Sequence, residues 1–149
     1  MVYKFRLISD EIRDFVRDIE LLSDQTFYDF HRALTHNLHY DKSQIASFFI
    51  SNNEWEKLVE ITLFDMSEDE KRVVHVMDKT HLDDFFNKPK ERLLYIFDFF
   101  NERLFFIELI SIQEREKGIA YPRFTYEKGK PPRQLIMDVN PFEDLNFEE

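Results

Sequence analysis

RLLYIFDFFNERLFFIELISI, residues 92–112, holds two long apolar runs joined through the polar pair Asn101-Glu102. It reads as a β-hairpin with that pair as its turn, which sets Phe100 opposite Arg103 and Asp98 opposite Phe105. Successive residues of a strand point to opposite faces. One face then carries Leu93, Tyr95, Phe97, Phe99, Leu104, Phe106 and Ile110, and the other Leu94, Ile96, Phe100, Phe105, Ile107 and Leu109. A sheet with one wet face alternates apolar with polar residues. This hairpin does not, so both faces need cover, from helices on one side and a second sheet layer or another chain on the other.

Outward from the hairpin, Val2–Ile8 (VYKFRLI) alternates at period two and Phe15–Leu22 reads as a second strand. Ser23-Asp24 offers caps for a helix over 25–38, where Phe27, Phe30, His31, Leu34 and Leu38 fall at helical spacing. Ser47–Ile50 and Leu58–Phe64 read as strands about a polar turn, and Met66–Arg72 as a charged loop. Val73–Met77 is a short strand, followed by a short helix through Phe86 capped at Asp78 or Thr80. Tyr121–Tyr126 reads as an edge strand, and Pro131-Pro132 ends regular structure. The fold expected is one α+β domain over residues 1–137: a curved, mostly antiparallel sheet of five to seven strands packed with two or three helices. Residues 138–149 form an acidic-hydrophobic C-terminal tail.

Composition removes several function classes. There is no cysteine, so disulfides, thiolate metal sites and cysteine nucleophiles are excluded. Gly118 and Gly129 stand alone, too few to build a phosphate-cradling loop. A formal charge of −10 argues against nucleic acid, whose affinity comes mainly from neutralised phosphates. Half of that charge lies in the tail, where 138–149 holds five acids and no base. The start of the chain has no apolar stretch behind a basic segment, and no apolar run approaches the roughly 18 residues of a membrane helix. A cytoplasmic protein without membrane contact is the expectation. Seventeen phenylalanines supply a core that needs no metal or cofactor to hold it.

Several local patterns share one likeness. Thr26-Phe27-Tyr28-Asp29-Phe30-His31 fits a Thr-Leu-x-x-Leu-His helix opening, Arg17 the second half of a Trp-Arg pair, and Asp98-Phe99 part of a Tyr-Asp-Phe-Gly-Asp-x-Trp-x-His hairpin. Tyr121-Pro122-Arg123 and Pro131-Pro132 match a Tyr-Pro-Arg…Pro-Pro stretch. In these the chain resembles the Ri-plasmid open-reading-frame-three-like family of bacterial proteins. The resemblance implies an α+β fold with a curved, largely antiparallel sheet against helices, and no established activity. The departures matter as much. Leu38-His39-Tyr40-Asp41 stands for Phe-Gly-Trp-Asp, and Gln44, Asn101 and Phe105 stand where relatives carry a histidine, a second aspartate and another histidine. Groups able to bind metal or move protons are thus exchanged, and any site of the relatives at these positions is expected to be lost here.

The remaining candidates are few. His31, His36 and His39 are spaced five and eight apart, poor for paired ligands on a helix, which usually sit four apart. His31 reads as a core histidine, His36 and His39 as solvated helix-end residues, and His75 and His81 as surface residues. Asp98 needs a partner if it is buried. Arg103 across the turn offers one, and Arg17 of another strand a second. A polar pocket of Arg17, His31 and Asp98 between helix and sheet is the site hypothesis, with no catalytic residue and no metal assigned. In the tail, Phe142, Leu145 and Phe147 alternate with acids. Such a segment docks in a partner groove, packs back on its own domain, or stays unstructured. The functional expectation is a non-enzymatic binding or assembly module, with a protein partner or a homodimer formed through aromatic surface. The alternative is an enzyme or degenerate enzyme with a small polar pocket near His31 and Asp98.

Overall fold

The computed structural model describes residues 1–65 and 73–135. The chain runs β1 (Val2–Ser9), β2 (Val16–Leu22), α1 (Phe27–Leu38), β3 (Ser47–Ser51), β4 (Lys57–Thr62), β5 (His75–Val76), β6 (Arg92–Asp98), β7 (Arg103–Gln113) and β8 (Arg123–Lys128). All eight strands form one sheet in the order β5-β4-β3-β6-β7-β1-β2-β8. Each neighbouring pair is antiparallel except β4 and β5. The charged loop expected at 66–72, the boundary at 137–138 and the tail residues Phe142, Leu145 and Phe147 lie outside the described residues.

Two parts of the expected architecture are corrected. The sheet has eight strands, not five to seven, and the described residues hold one α-helix, not two or three; the molecule is mostly sheet, and the α+β label fits it poorly. The expected second helix, through Phe86, is reduced to two 3-10 turns, Met77–Lys79 and Leu82–Asp84. Between them Thr80 and His81 are extended, because this stretch spends its backbone on the β2–α1 connection. Phe27 N–H donates to Thr80 C=O, Leu82 N–H to Gln25 C=O and Asp83 N–H to Ser23 C=O. Groups committed to another segment cannot close an i→i−4 helical ladder.

The hairpin forms in another register. Tyr95 faces Phe105 and Asp98 faces Arg103, with an irregularity between Ile96 and Asp98. The turn spans Phe99–Glu102, and Glu102 is left-handed at φ 51°. A slip by an odd number of residues exchanges the faces of one strand relative to the other. Leu93, Tyr95 and Phe97 therefore share the core face with Phe105, Ile107 and Leu109, and all six are buried. Phe100, placed on an apolar face by the sequence, sits in the turn at 87% exposure.

One face of this sheet meets α1. The strands β2 and β3 are consecutive in sequence but separated by β1, β7 and β6, so the helix carries the chain across the sheet. Its start is fixed by Thr26, not Ser23 or Asp24: Thr26 Oγ1 accepts from Asp29 N–H at 3.0 Å and Asp29 Oδ2 from Thr26 N–H at 2.9 Å. This reciprocal capping satisfies two otherwise orphaned donors. Phe30 lies 5.0 Å from Phe5 and 5.1 Å from Phe48, centroid to centroid, and Phe48 lies 4.8 Å from Tyr95. Burying each such ring contributes roughly 1.5–3 kcal/mol.

The opposite face carries no second layer among the described strands. Arg6 forks onto Asp18 at 2.8 and 2.9 Å, Lys4 and Arg123 both reach Glu20, and Arg92 reaches Glu108. Beside this ladder Trp55 packs edge-on against Phe106 at 5.0 Å beneath Arg92, and Lys57 lies over Phe49. By register Leu94 sits between Phe49 and Phe106, which explains how it is only 2% exposed on a face of mixed character.

Candidate functional site

The three residues singled out from the sequence are each held at a different junction. His31, on the inner face of α1, places Nε2 2.9 Å from Lys42 C=O and Nδ1 2.8 Å from the Tyr95 hydroxyl. A carbonyl only accepts, so Nε2 carries the proton and Nδ1 accepts from Tyr95. Burial pushes the imidazole pKa down, keeping the ring neutral. Arg17, on β2, lies 4.5 Å over the Phe15 ring. Its Nε donates to Asn37 Oδ1, Nη1 to the carbonyls of Val16 and Lys128, and Nη2 to that of Gly129. Gly129 takes φ 77°, and a Cβ there would stand 2.8 Å from Asp14 C=O, so that close approach requires glycine.

Asp98 closes the hairpin end of β6. It accepts from Asn101 N–H at 3.2 Å, Asn101 Nδ2 at 2.9 Å and Arg103 Nη1 at 3.3 Å. Burial opposes its charge, but the Asn101 and Arg103 hydrogen bonds prevail and hold the carboxyl below its ordinary pKa. Arg103 also pairs with Glu11 at 3.0 Å, donates to the carbonyls of Arg133 and Gln134, and covers the Phe97 ring. Of the two partners the sequence offered Asp98, Arg103 is the one engaged. No hydrogen bond joins Arg17, His31 or Asp98 to another of the three. Among the described residues no buried side-chain nitrogen or oxygen lacks a partner, and no cluster of three or more acids and histidines is arranged to hold a metal.

A different arrangement lies on the outer side of the same helix. An open groove of about 590 Å³ runs between α1 and the segment entering β8. From the helix, Asp29, Arg32, Ala33 and His36 follow the i, i+3, i+4, i+7 stripe that shares one face. Pro122 and Phe124 form the facing wall, and Tyr40 and Lys42 close the end where the helix stops. Gln25 braces the wall by donating to Tyr121 C=O while accepting from Leu22 N–H. At its other end Asn37 donates to Glu127 of β8.

The groove's charge is one-sided. Asp29 is its one acid, and its carboxylate is engaged at the helix cap. The side chains of Arg32, His36 and Lys42 have no hydrogen-bond or ion-pair partner among the described residues, unlike Arg6, Arg17, Arg92, Arg103 and Arg123. Three unengaged basic side chains around an apolar wall suit an anionic segment that also bears apolar groups. Arg32 and Lys42 escaped the sequence reading. The four-residue spacing of Arg32 and His36 was visible there, but the wall was not, since it comes from a segment some ninety residues downstream.

The exit of the chain is fixed beside this groove. Tyr40 hydroxyl donates to Pro132 C=O, which secures the tyrosine that lines the groove's end. Asp41 and Gln134 bond reciprocally, Asp41 N–H to Gln134 Oε1 at 2.7 Å and Gln134 Nε2 to Asp41 C=O at 3.0 Å.

Comparison with known proteins adds fold and family. The family model described as plasmid pRiA4b ORF-3-like protein matches residues 2–146. No curated protein matches the sequence. The crystal structure of a protein of unknown function from Methanosarcina mazei Go1 is similar at a TM-score of 0.65 and 24% identity, over 85% of this chain and 68% of that one. At that identity the likeness speaks for the fold alone. No described helix is long and apolar enough to cross a membrane.

Proposed function

Because the chain belongs to the plasmid pRiA4b ORF-3-like protein family, which brings no activity with it, we propose a function from the groove: the protein is a non-enzymatic binding module that holds an acidic, apolar-bearing protein segment between α1 and β8. The observation that carries this is the pair of unengaged cations, Arg32 and Lys42, set with His36 around an apolar wall in a chain of formal charge −10. The enzyme reading has less support, because His31 and Asp98 spend their hydrogen-bonding capacity on Tyr95, Lys42, Asn101 and Arg103. A protein partner is favoured over nucleic acid, since a groove that prefers anions on an acidic molecule needs apolar contacts to add affinity.

The test is fluorescence anisotropy with a labelled acidic decapeptide containing two phenylalanines, against the same peptide with its acids changed to amides. Arg32→Glu with Lys42→Glu is expected to weaken binding of the acidic peptide at least tenfold, and rising salt is expected to weaken it in the parent chain. Equal binding of both peptides, or equal binding by the parent and the charge-reversed chain, would remove the groove from the proposal.

A further inference from the structure

We infer that the segment this groove takes is the chain's own Pro141–Glu149 (PFEDLNFEE), folded back in cis, so that the groove is self-occupied and an outside ligand must displace it. This rests on the groove being a binding site, as proposed above.

Tethering is the first argument. The chain leaves the described structure at Leu135, immediately after the Gln134–Asp41 pair and the Pro132–Tyr40 bond. Tyr40 and Lys42, on either side of Asp41, are both groove residues. The segment's own anchor is thus built onto one end of the cavity. Arg103, bonded to the carbonyls of Arg133 and Gln134, fixes the same exit from the hairpin side.

Reach and complementarity agree with this. Residues 136–140 extend to at most about 17–18 Å at the usual rise per residue. The helical wall from Asp29 to His36 is about 10 Å long at 1.5 Å per residue. Five residues of tether are therefore enough to bring Phe142 along the groove, with Leu145 and Phe147 following. Residues 138–149 carry five acids and no base, against two unengaged cations, Arg32 and Lys42, and one committed acid in the groove. Phe142, Leu145 and Phe147 offer apolar groups to Ala33, Pro122 and Phe124. The family match also runs to residue 146, which includes Phe142 and Leu145.

The consequence is quantitative. A tether of this length holds its end at an effective concentration of about millimolar. An intrinsic affinity of only ~0.1 mM then leaves the groove roughly nine-tenths filled, and a competing ligand sees an affinity about tenfold weaker.

The experiment uses full-length chains: the parent, a tail variant carrying Phe142→Ser, Leu145→Ser and Phe147→Ser, and that variant with Arg32→Glu and Lys42→Glu. Labelled PFEDLNFEE is titrated into each, and solution mass is measured by light scattering. The expected result is binding about tenfold tighter to the tail variant than to the parent, loss on charge reversal, and a monomer throughout. Equal affinity for the parent and the tail variant overturns self-occupancy. Failure of PFEDLNFEE to bind the tail variant, while the unrelated acidic decapeptide binds it, overturns this inference and leaves the proposed function standing. Failure of both peptides overturns both. A parent dimer that the groove or tail substitutions dissociate overturns the cis arrangement in favour of docking on a second copy. Circular dichroism of each variant excludes loss of fold as the cause.

Discussion

His31 and Arg32 are neighbours on α1, yet they belong to opposite kinds of surface. His31 faces inward, and both ring nitrogens are spoken for by Tyr95 and Lys42. Arg32 faces the groove, and its guanidinium bonds to no described residue. The inner side of the helix therefore spends its polar groups on holding the fold, and the outer side leaves them free for something else. A residue's chemistry alone does not separate the two cases; its partners do. Histidine, aspartate and arginine drew attention in the sequence because they can do chemistry, and here they brace junctions between β2, β8, α1 and the hairpin.

The contrast can be broken from the inside first. Phe30→Ala removes the ring between Phe5 and Phe48 and is expected to cost about 3–5 kcal/mol of stability in urea denaturation. A loss below about 1 kcal/mol would mean that the inner face is not the rigid one.

His31→Leu leaves the Tyr95 hydroxyl and the Lys42 carbonyl without their partner and is expected to cost about 1–3 kcal/mol. Its pH signature is more specific. Burial lowers the folded pKa below the ordinary 6.5. The unfolded chain therefore binds more protons than the folded one as pH falls through 6.5. By linkage the contribution is full above that value and is lost progressively toward acid. The parent is expected to lose stability between pH 7 and 5 more steeply than His31→Leu. Identical slopes would place the ring in contact with solvent.

The smallest effect sharpens the contrast most. Introduced into the tail variant, whose groove is empty, Arg32→Glu with Lys42→Glu is expected to change stability by no more than about 0.5 kcal/mol, while the same chain loses peptide binding as described above. A large loss of stability would show that these cations hold structure too, and the distinction between the two sides of the helix would fall.

Much of the architecture was legible because alternation and helical spacing are local properties. The strands about Val2, Phe15, Ser47, Leu58 and Arg123 and the helix over Phe27–Leu38 all followed from them. The hairpin register was not legible, because it depends on the left-handed Glu102 and on the irregularity before Asp98, and a slip there exchanges the faces of β7. The second helix failed for a related reason: its hydrogen bonds go to residues 23–27, more than fifty positions away. Site reading had the same limit. That Asp98 wanted Arg103 could be guessed from the turn, but Glu11 and the carbonyls of 133–134 come from the far parts of the chain. The groove wall depends on β8 reaching β2, where Arg123 meets Glu20 across 103 residues.

Arg103 has a further consequence, in the order of assembly. Its contact with Asp98 spans 5 residues and its contact with Glu11 spans 92. Closing the longer loop costs roughly 2–3 kcal/mol more chain entropy. The hairpin thus aims the guanidinium early, and the distant segments arrive at a donor already oriented. In reverse, the link to Glu11, across 92 residues against 30 and 31 for Arg133 and Gln134, is the one to open while the hairpin stays intact. The last segment of the chain to be captured during folding is then also the first that native-state hydrogen exchange would find released.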